Sequence, residues 1–305
     1  MPLHIDTPLL LSSQLSKLTG RSIWLKMDAL QVPGSFKIRG VSHACTEYVS
    51  RGARRLVSSS GGNAGLAVAY AGRSLGVPVT VVVPQTTSQR AKELLQLENA
   101  EVIVHGDSWQ EANELAVSLV GTTDAFLHPF DDPLLWQGHA TVIDEVARAG
   151  LQPDAVVLSV GGGGLLCGVA QGLQRNGWGH IPIIAVETHG AASFHVAAKA
   201  GHAVQLDQIN SIATSLGAKR VCEQAVQWSK QHTIHSVLVS DKSAVGACQR
   251  FLADHRVLVE PACGASLAIA YENSPALEPF KSVLVIVCGG ATATVDQLQQ
   301  WVKAL

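Results

Sequence analysis

Apolar segments of strand length alternate with segments of helix length along much of this chain, and glycine-rich turns follow directly after several of the strand-like segments. Leu56–Ser59 reads as a short buried strand, Ala64–Leu75 as the helix after it, and Val79–Val83 as a β-branched strand entered through Pro78. Gln89–Leu97 reads as a helix and Glu101–Val104 as a strand. Ser108 and Glu111 have the spacing of a capping box that opens a helix running to about Val120. Farther on, the pattern predicts a strand at Ala155–Val160, a helix at Leu165–Arg175, a strand at Ile183–Val186 and a helix at Ala191–Ala200. It closes with a strand at Ser282–Val287 and a helix at Val295–Ala304, with Thr294 and Gln297 as a second capping box. The strand-like runs are apolar throughout instead of alternating with polar residues. That predicts an α/β fold with largely parallel sheets covered by helices on both faces. A chain of 305 residues exceeds one ordinary core, so two lobes are expected. Such sheets hold ligands beyond the carboxyl ends of their strands, which is where the glycine turns fall.

The stretch Leu127–Trp136, rich in Pro and Asp, interrupts the alternation and suits a lobe boundary. No internal repeat or low-complexity linker is visible. With 47% hydrophobic and 15% charged residues, the chain is a globule and not a disordered segment. A net charge near −2, with both signs mixed along the sequence, provides neither a basic nucleic-acid stripe nor a polybasic membrane patch. No apolar run approaches the roughly 20 residues of a membrane span, and the first residues lack a secretory pattern. The six cysteines are scattered without a C-x-x-C pair, which suits reduced, buried thiols in the cytoplasm. Among the 12 histidines, His232 and His235 are three apart but have no flanking partners at zinc-ligand spacing.

Four short segments can carry chemistry. Ser59-Ser60-Gly61-Gly62-Asn63-Ala64-Gly65 joins a strand to a helix, where a close backbone approach and unpaired N–H groups suit a carboxylate. An ordinary capped turn explains it equally well when it is taken alone. Gly161-Gly162-Gly163-Gly164-Leu165 repeats the arrangement with a run of N–H groups suited to a phosphate. It is not a dinucleotide fingerprint, because Leu166 or Cys167 stands where that motif needs Gly or Ala, and no Gly-Lys-Ser/Thr follows as a P-loop requires. In Ser35-Phe36-Lys37-Ile38-Arg39-Gly40, apolar neighbours can desolvate Lys37 and free its amine as a nucleophile or Schiff-base former. A surface lysine is the ordinary alternative. Cys288-Gly289-Gly290, after the last strand, can face a flat ring or simply be a buried structural cysteine.

In this order the four segments resemble the fold-type II pyridoxal-phosphate enzymes, and most closely their serine/threonine dehydratase branch. Thr7-Pro8-Leu9, Pro129-Phe130-Asp131-Asp132-Pro133 and Val259-Glu260-Pro261-Ala262-Cys263-Gly264 are also similar to that branch, so the resemblance spans nearly the whole chain. It implies a tryptophan-synthase-β-like fold of two lobes. Residues 1–28 with 134–305 would form the large lobe, and 29–133 a small one.

The resemblance further implies that Lys37 binds pyridoxal phosphate as a Schiff base and serves as the catalytic base. Phe36 would lie against the ring, Gly161, Gly162, Gly163, Gly164 and Leu165 would hold the phosphate, Asn63 would bond the ring hydroxyl, and Cys288 would face the ring nitrogen. Ser60, Gly61, Gly62, Asn63 and Ala64 would take the carboxylate of a small amino-acid substrate, with Ser60 beside Lys37 among the catalytic groups. The implied reaction is dehydration and deamination of L-serine or L-threonine to a 2-oxo acid and ammonia. A monovalent cation such as potassium would sit on Glu187, Ser193 and the carbonyls of Ala191, Leu216 and Ala218, since oxygen ligands suit hard cations. A homodimer is the family expectation. Many dehydratases have alanine where this chain has Gly61, and the missing methyl is expected to widen the pocket or loosen its loop. Racemase-type relatives place a serine acid there, which Gly61 does not supply. The competing readings are a β-replacement synthase of the same fold, a non-catalytic ligand-binding relative, and a nucleotide-dependent oxidoreductase.

Overall fold

The computed structural model describes residues 2–305; Met1, at the head of the expected large lobe, lies outside them. The chain begins with β1 (Leu9–Leu11) and β2 (Ser22–Lys26), which pair antiparallel with Leu10 opposite Leu25. It then builds a separate sheet from β3 (Arg55–Ser58), β4 (Val79–Val83), β5 (Glu101–Val104) and β6 (Asp124–Leu127), all parallel in the order β5-β4-β3-β6. β7 (Ala155–Ser159), β8 (Ile183–Thr188), β9 (Ile234–Val239) and β10 (Ser282–Ile286) return to the first sheet. Its order is β1-β2-β10-β7-β8-β9, so the last strand of the sequence lies between β2 and β7 and is parallel to both. β4, β7 and β8 are buried at every position, as parallel strands with helices on both faces must be.

Where the structure departs from the sequence pattern, the causes are local. The helix expected from Ala191 begins at Ser193, because Ala191 N–H turns back to the Thr188 carbonyl at 3.0 Å. The Glu187 carboxylate then caps that helix by accepting from Phe194 and His195 N–H, each at 2.8 Å. Of the Ser108–Glu111 capping box only half forms. Ser108 Oγ accepts from Glu111 N–H at 3.3 Å, but the Glu111 carboxylate takes the Asp107 N–H instead, and the helix stops at Ser118. The Thr294–Gln297 box is complete. In the Leu127–Trp136 stretch, Asp132 caps a helix, Pro133–His139, with Pro at its first position.

The helix Lys37–Ser50 carries the lysine motif and is pinned by a buried ionic cluster. Arg39, fully buried, donates to Asp28 at 2.7 and 2.8 Å and to Glu145 at 2.5 and 2.8 Å. Lys26 lies 2.5 Å from Glu145, and Thr7 Oγ1 donates to Asp28 at 2.7 Å. Two cations face two carboxylates, which is the condition under which charges tolerate burial. All six cysteines are free and buried. Among the described residues no helix is long and apolar enough to cross a membrane.

Candidate active site

A short antiparallel contact brings the two ends of the sequence pattern together. Residues 34–36 lie along 288–290: Phe36 N–H donates to the Cys288 carbonyl at 3.0 Å, Gly290 N–H donates to the Gly34 carbonyl at 3.0 Å, and Ser35 bridges Gly289. Gly289, at φ +97°, takes a left-handed conformation, and a Cβ there would fall 2.4 Å from the Gly34 carbonyl oxygen. This pairing places Lys37, the first residue of its helix, in the same pocket as Cys288 just beyond β10. Lys37 Nζ donates to the Pro129 carbonyl at 2.6 Å. Burial pulls its pKa down to about 8, against the opposing pull of Glu260 and Cys288. An amine so poised is neutral in a sizeable fraction near physiological pH, as a nucleophile or general base must be.

The same pocket is lined by the glycine run after β7. A Cβ at Gly162 would fall 2.1 Å from the Phe130 ring, one at Gly161 would fall 2.9 Å from the Ser215 carbonyl oxygen, and Gly163 has φ +93°. The run is therefore clasped between Phe130 and the 215–216 segment with no room for side chains. Its carbonyls are turned away and engaged, Gly162 accepting from Cys222 N–H at 3.0 Å and Gly163 from Cys167 N–H at 2.9 Å. Among the described residues, the N–H groups of Gly161 to Leu165 find no protein acceptor. They sit at the N-terminus of the helix Gly164–Arg175, so they form a cradle for an anion of phosphate size. A cradle for a phosphate and a partly neutral lysine in one pocket fit pyridoxal phosphate.

Not every expected site residue lines this pocket. Phe36, Lys37, Asn63, Cys288 and the run Gly161–Leu165 do. Phe36 also packs its ring on His139, with centroids 5.0 Å apart. Ser60, Gly61, Gly62 and Ala64 lie outside the lining. Ser60 Oγ accepts from Gly62 N–H at 3.3 Å, and Ala64 is buried in its helix. The expectation that Gly61 widens the pocket is not met: a Cβ there would point at Thr87, 2.7 Å from its Cγ2, and not into the cavity. Behind the glycine run, Ser193 Oγ donates to the Gly161 carbonyl at 3.5 Å, and Ala218 N–H donates to the Leu216 carbonyl at 2.9 Å. Glu187 is fully buried, and burial raises its pKa to about 8 against the two N–H bonds it accepts.

The pocket contains groups that the sequence placed within family-like segments without giving them a role. Glu260 and Cys263 line it, as does the side chain of Phe130. Glu260 sits at the N-cap of the helix Pro261–Tyr271 and looks in sequence like an ordinary cap, yet its side chain makes no capping bond. It accepts from Asn63 Nδ2 at 2.9 Å. The sequence signal was an acid immediately before a helix-starting proline, which on its own does not say which way the carboxylate turns.

The family model for pyridoxal-phosphate dependent enzymes matches residues 1–289. A human protein named L-serine dehydratase/L-threonine deaminase is 48% identical over 98% of this chain and 94% of its own length. A mouse protein named serine dehydratase-like is 49% identical over the same shares. The crystal structure of a fungal L-serine ammonia-lyase from Rhizomucor miehei superposes with a TM-score of 0.95 at 36% identity, covering 99% of both chains. By the glycine cradle that shares a pocket with Lys37 and by likeness along its whole length, the chain belongs to the fold-type II pyridoxal-phosphate-dependent enzymes, in their serine/threonine dehydratase family.

Proposed function

We propose that this protein catalyses the pyridoxal-phosphate-dependent β-elimination of L-serine and L-threonine, releasing ammonia with pyruvate or 2-oxobutanoate. The observation that carries the reading is the pairing of the Lys37 amine, with its pKa near 8, and the open N–H cradle of Gly161–Leu165 in one pocket. The names of the human and fungal relatives support it. When bound, pyridoxal phosphate supplies an electron sink for the substrate's α-carbon. The protein's groups do the rest. The N–H groups of Gly161–Leu165 would hold the phosphate. Lys37 Nζ, neutral, takes the proton from the α-carbon, and the departing hydroxyl oxygen would take its proton either from the ammonium so formed or from the cofactor phosphate. The Ser60–Ala64 loop, which meets the pocket through Asn63, would bind the carboxylate. Cys288, in the position that would face the ring nitrogen, offers neither the cation that would repel a proton there nor the carboxylate that would fix one.

Three further assignments go with this reading. A potassium ion on Glu187, Ser193 and the carbonyls of Ala191, Leu216 and Ala218 is supported by the all-oxygen character of that set, which suits a hard cation. A homodimer is supported by the edge strand β1, which leaves Leu10 and Leu11 44% and 50% exposed. Work in the cytoplasm is supported by six free, buried cysteines, and a catabolic role by the ammonia released in the proposed reaction. The test mixes the purified protein with L-serine or L-threonine and follows 2-oxo acid together with the visible spectrum, using Lys37→Ala as control. Turnover without any thiol, lost with the cofactor band in the variant, establishes the reaction. A cofactor band without 2-oxo acid sinks it and turns attention to β-replacement with added thiols.

A further inference from the structure

Asn63 and Glu260 are 197 residues apart in the chain. Asn63 opens the helix that follows β3 in the four-stranded sheet, while the helix begun by Glu260 packs on β7 and β8 of the other. Two bonds hold the Asn63 side chain between them. Nδ2 donates to Glu260 Oε1 at 2.9 Å, and Ala291 N–H donates to Oδ1 at 2.9 Å. A carboxylate accepts and a backbone N–H donates, so only one orientation of the amide satisfies both. The nitrogen must face Glu260 and the oxygen must face Ala291. One hydrogen of Nδ2 is thereby used, and the second is left for the pocket that Asn63 lines beside Lys37 and Cys288. Gly290 belongs to the same construction: a Cβ there would fall 2.5 Å from Glu260 Cγ, so the absence of a side chain lets Glu260 lie across it.

We infer that Glu260 is a positioning residue: its carboxylate fixes the Asn63 amide so that an N–H is a permanent donor to the group bound in the pocket. The inference rests on pyridoxal phosphate binding here, as proposed above, and not on which amino acid reacts. A fixed donor favours the ionised form of the oxygen it meets, and the bound ring carries a phenolic oxygen. Glu260 therefore sets the electronic state of the cofactor without touching it. A carboxylate acting by charge alone would have the opposite effect, since a nearby negative charge disfavours a second one. The sign of the change on removing Glu260 separates the two.

The experiment records the visible absorption of the holoenzyme across pH for wild type, Glu260→Ala, Glu260→Gln, Asn63→Ala and each Glu260 variant combined with Asn63→Ala. With Glu260→Ala the pH at which the absorption bands interchange is expected to rise by about one unit, the worth of one lost hydrogen bond. Glu260→Gln keeps the shape but adds a donor that tolerates a flipped Asn63, so it moves the midpoint the same way by less. It serves if the alanine variant does not fold. In the Asn63→Ala background both shifts vanish, because Glu260 acts through Asn63. A downward shift, an unmoved spectrum, or a shift of equal size with Ala at 63 overturns the inference. No substrate enters the measurement. A wild type that shows the spectral change but makes no 2-oxo acid defeats the elimination reading alone.

Discussion

Lys37 stands at the start of a helix, surrounded by protein, and its lowered pKa has a consequence that can be measured without turnover. In protein stripped of pyridoxal phosphate, the unfolded chain binds a proton at this amine between pH 8 and 10.5 that the folded chain lacks. Stability from this group therefore rises with pH across that window. Urea denaturation at the two ends should show the rise in wild type and its loss in Lys37→Met. At Gly162 the prediction is steric. An alanine Cβ 2.1 Å from the Phe130 ring forces the loop or the ring to move. Overpacking of that kind costs about 1–3 kcal/mol, so cofactor titration should show binding weaker by at least about fivefold. Gly61→Ala meets Thr87 Cγ2 at 2.7 Å, ahead of Thr87 Oγ1 at 3.1 Å and Val83 Cγ1 at 3.3 Å. It should raise KM for serine a few-fold by lifting the substrate loop, and Thr87→Ser in the same chain, which removes that methyl, should restore most of it.

At the scale of elements, the sequence showed most plainly what repeats a period or closes a cap. Val79–Val83, Gln89–Leu97 and Val295–Ala304 occur where their patterns end, the last closed by a capping box that uses both of its members. Thr294→Ala should therefore cost about 1 kcal/mol in thermal unfolding and leave cofactor binding unchanged, since that helix lies away from the pocket. Elements without such a signature were not readable. The helix Pro261–Tyr271 is buried on every side, so no amphipathic period marks it, and β1 and β2 are short strands whose pairing is antiparallel in a sheet otherwise parallel. The site followed the same rule. The glycine run and the lysine motif were legible because backbone conformation and desolvation restrict residue type. Glu260 was not, because its work depends on an asparagine met only in three dimensions. Thr87, which decides what Gly61 means, was hidden for the same reason.

The whole molecule is held around a buried ionic cluster, and that makes its stability conditional. Removing one member of the Arg39–Asp28–Glu145–Lys26 set leaves an uncompensated buried charge. Glu145→Ala should cost about 3–5 kcal/mol in chemical denaturation, far more than loss of the exposed Arg148–Asp6 pair, whose charges water and salt screen. Acid acts on the molecule as a whole. Burial lowers the pKa values of His4, His128, His139, His232 and His255, His128 to about 4. As pH falls below about 6.5, the unfolded chain takes up protons at these sites before the folded one does, so stability declines; melting curves from pH 7 to 5 should show it. The place of β10 in the larger sheet adds a matter of timing. All strands of the smaller sheet leave the ribosome by residue 127, whereas β2 and β7 stay unjoined until residues 282–286 emerge. Through most of its synthesis the nascent chain thus has one sheet able to close and another split down the middle, its raw edges available to chaperones or to neighbouring chains. A chain halted before residue 282 should expose those edges to limited proteolysis while the segment 55–127 resists.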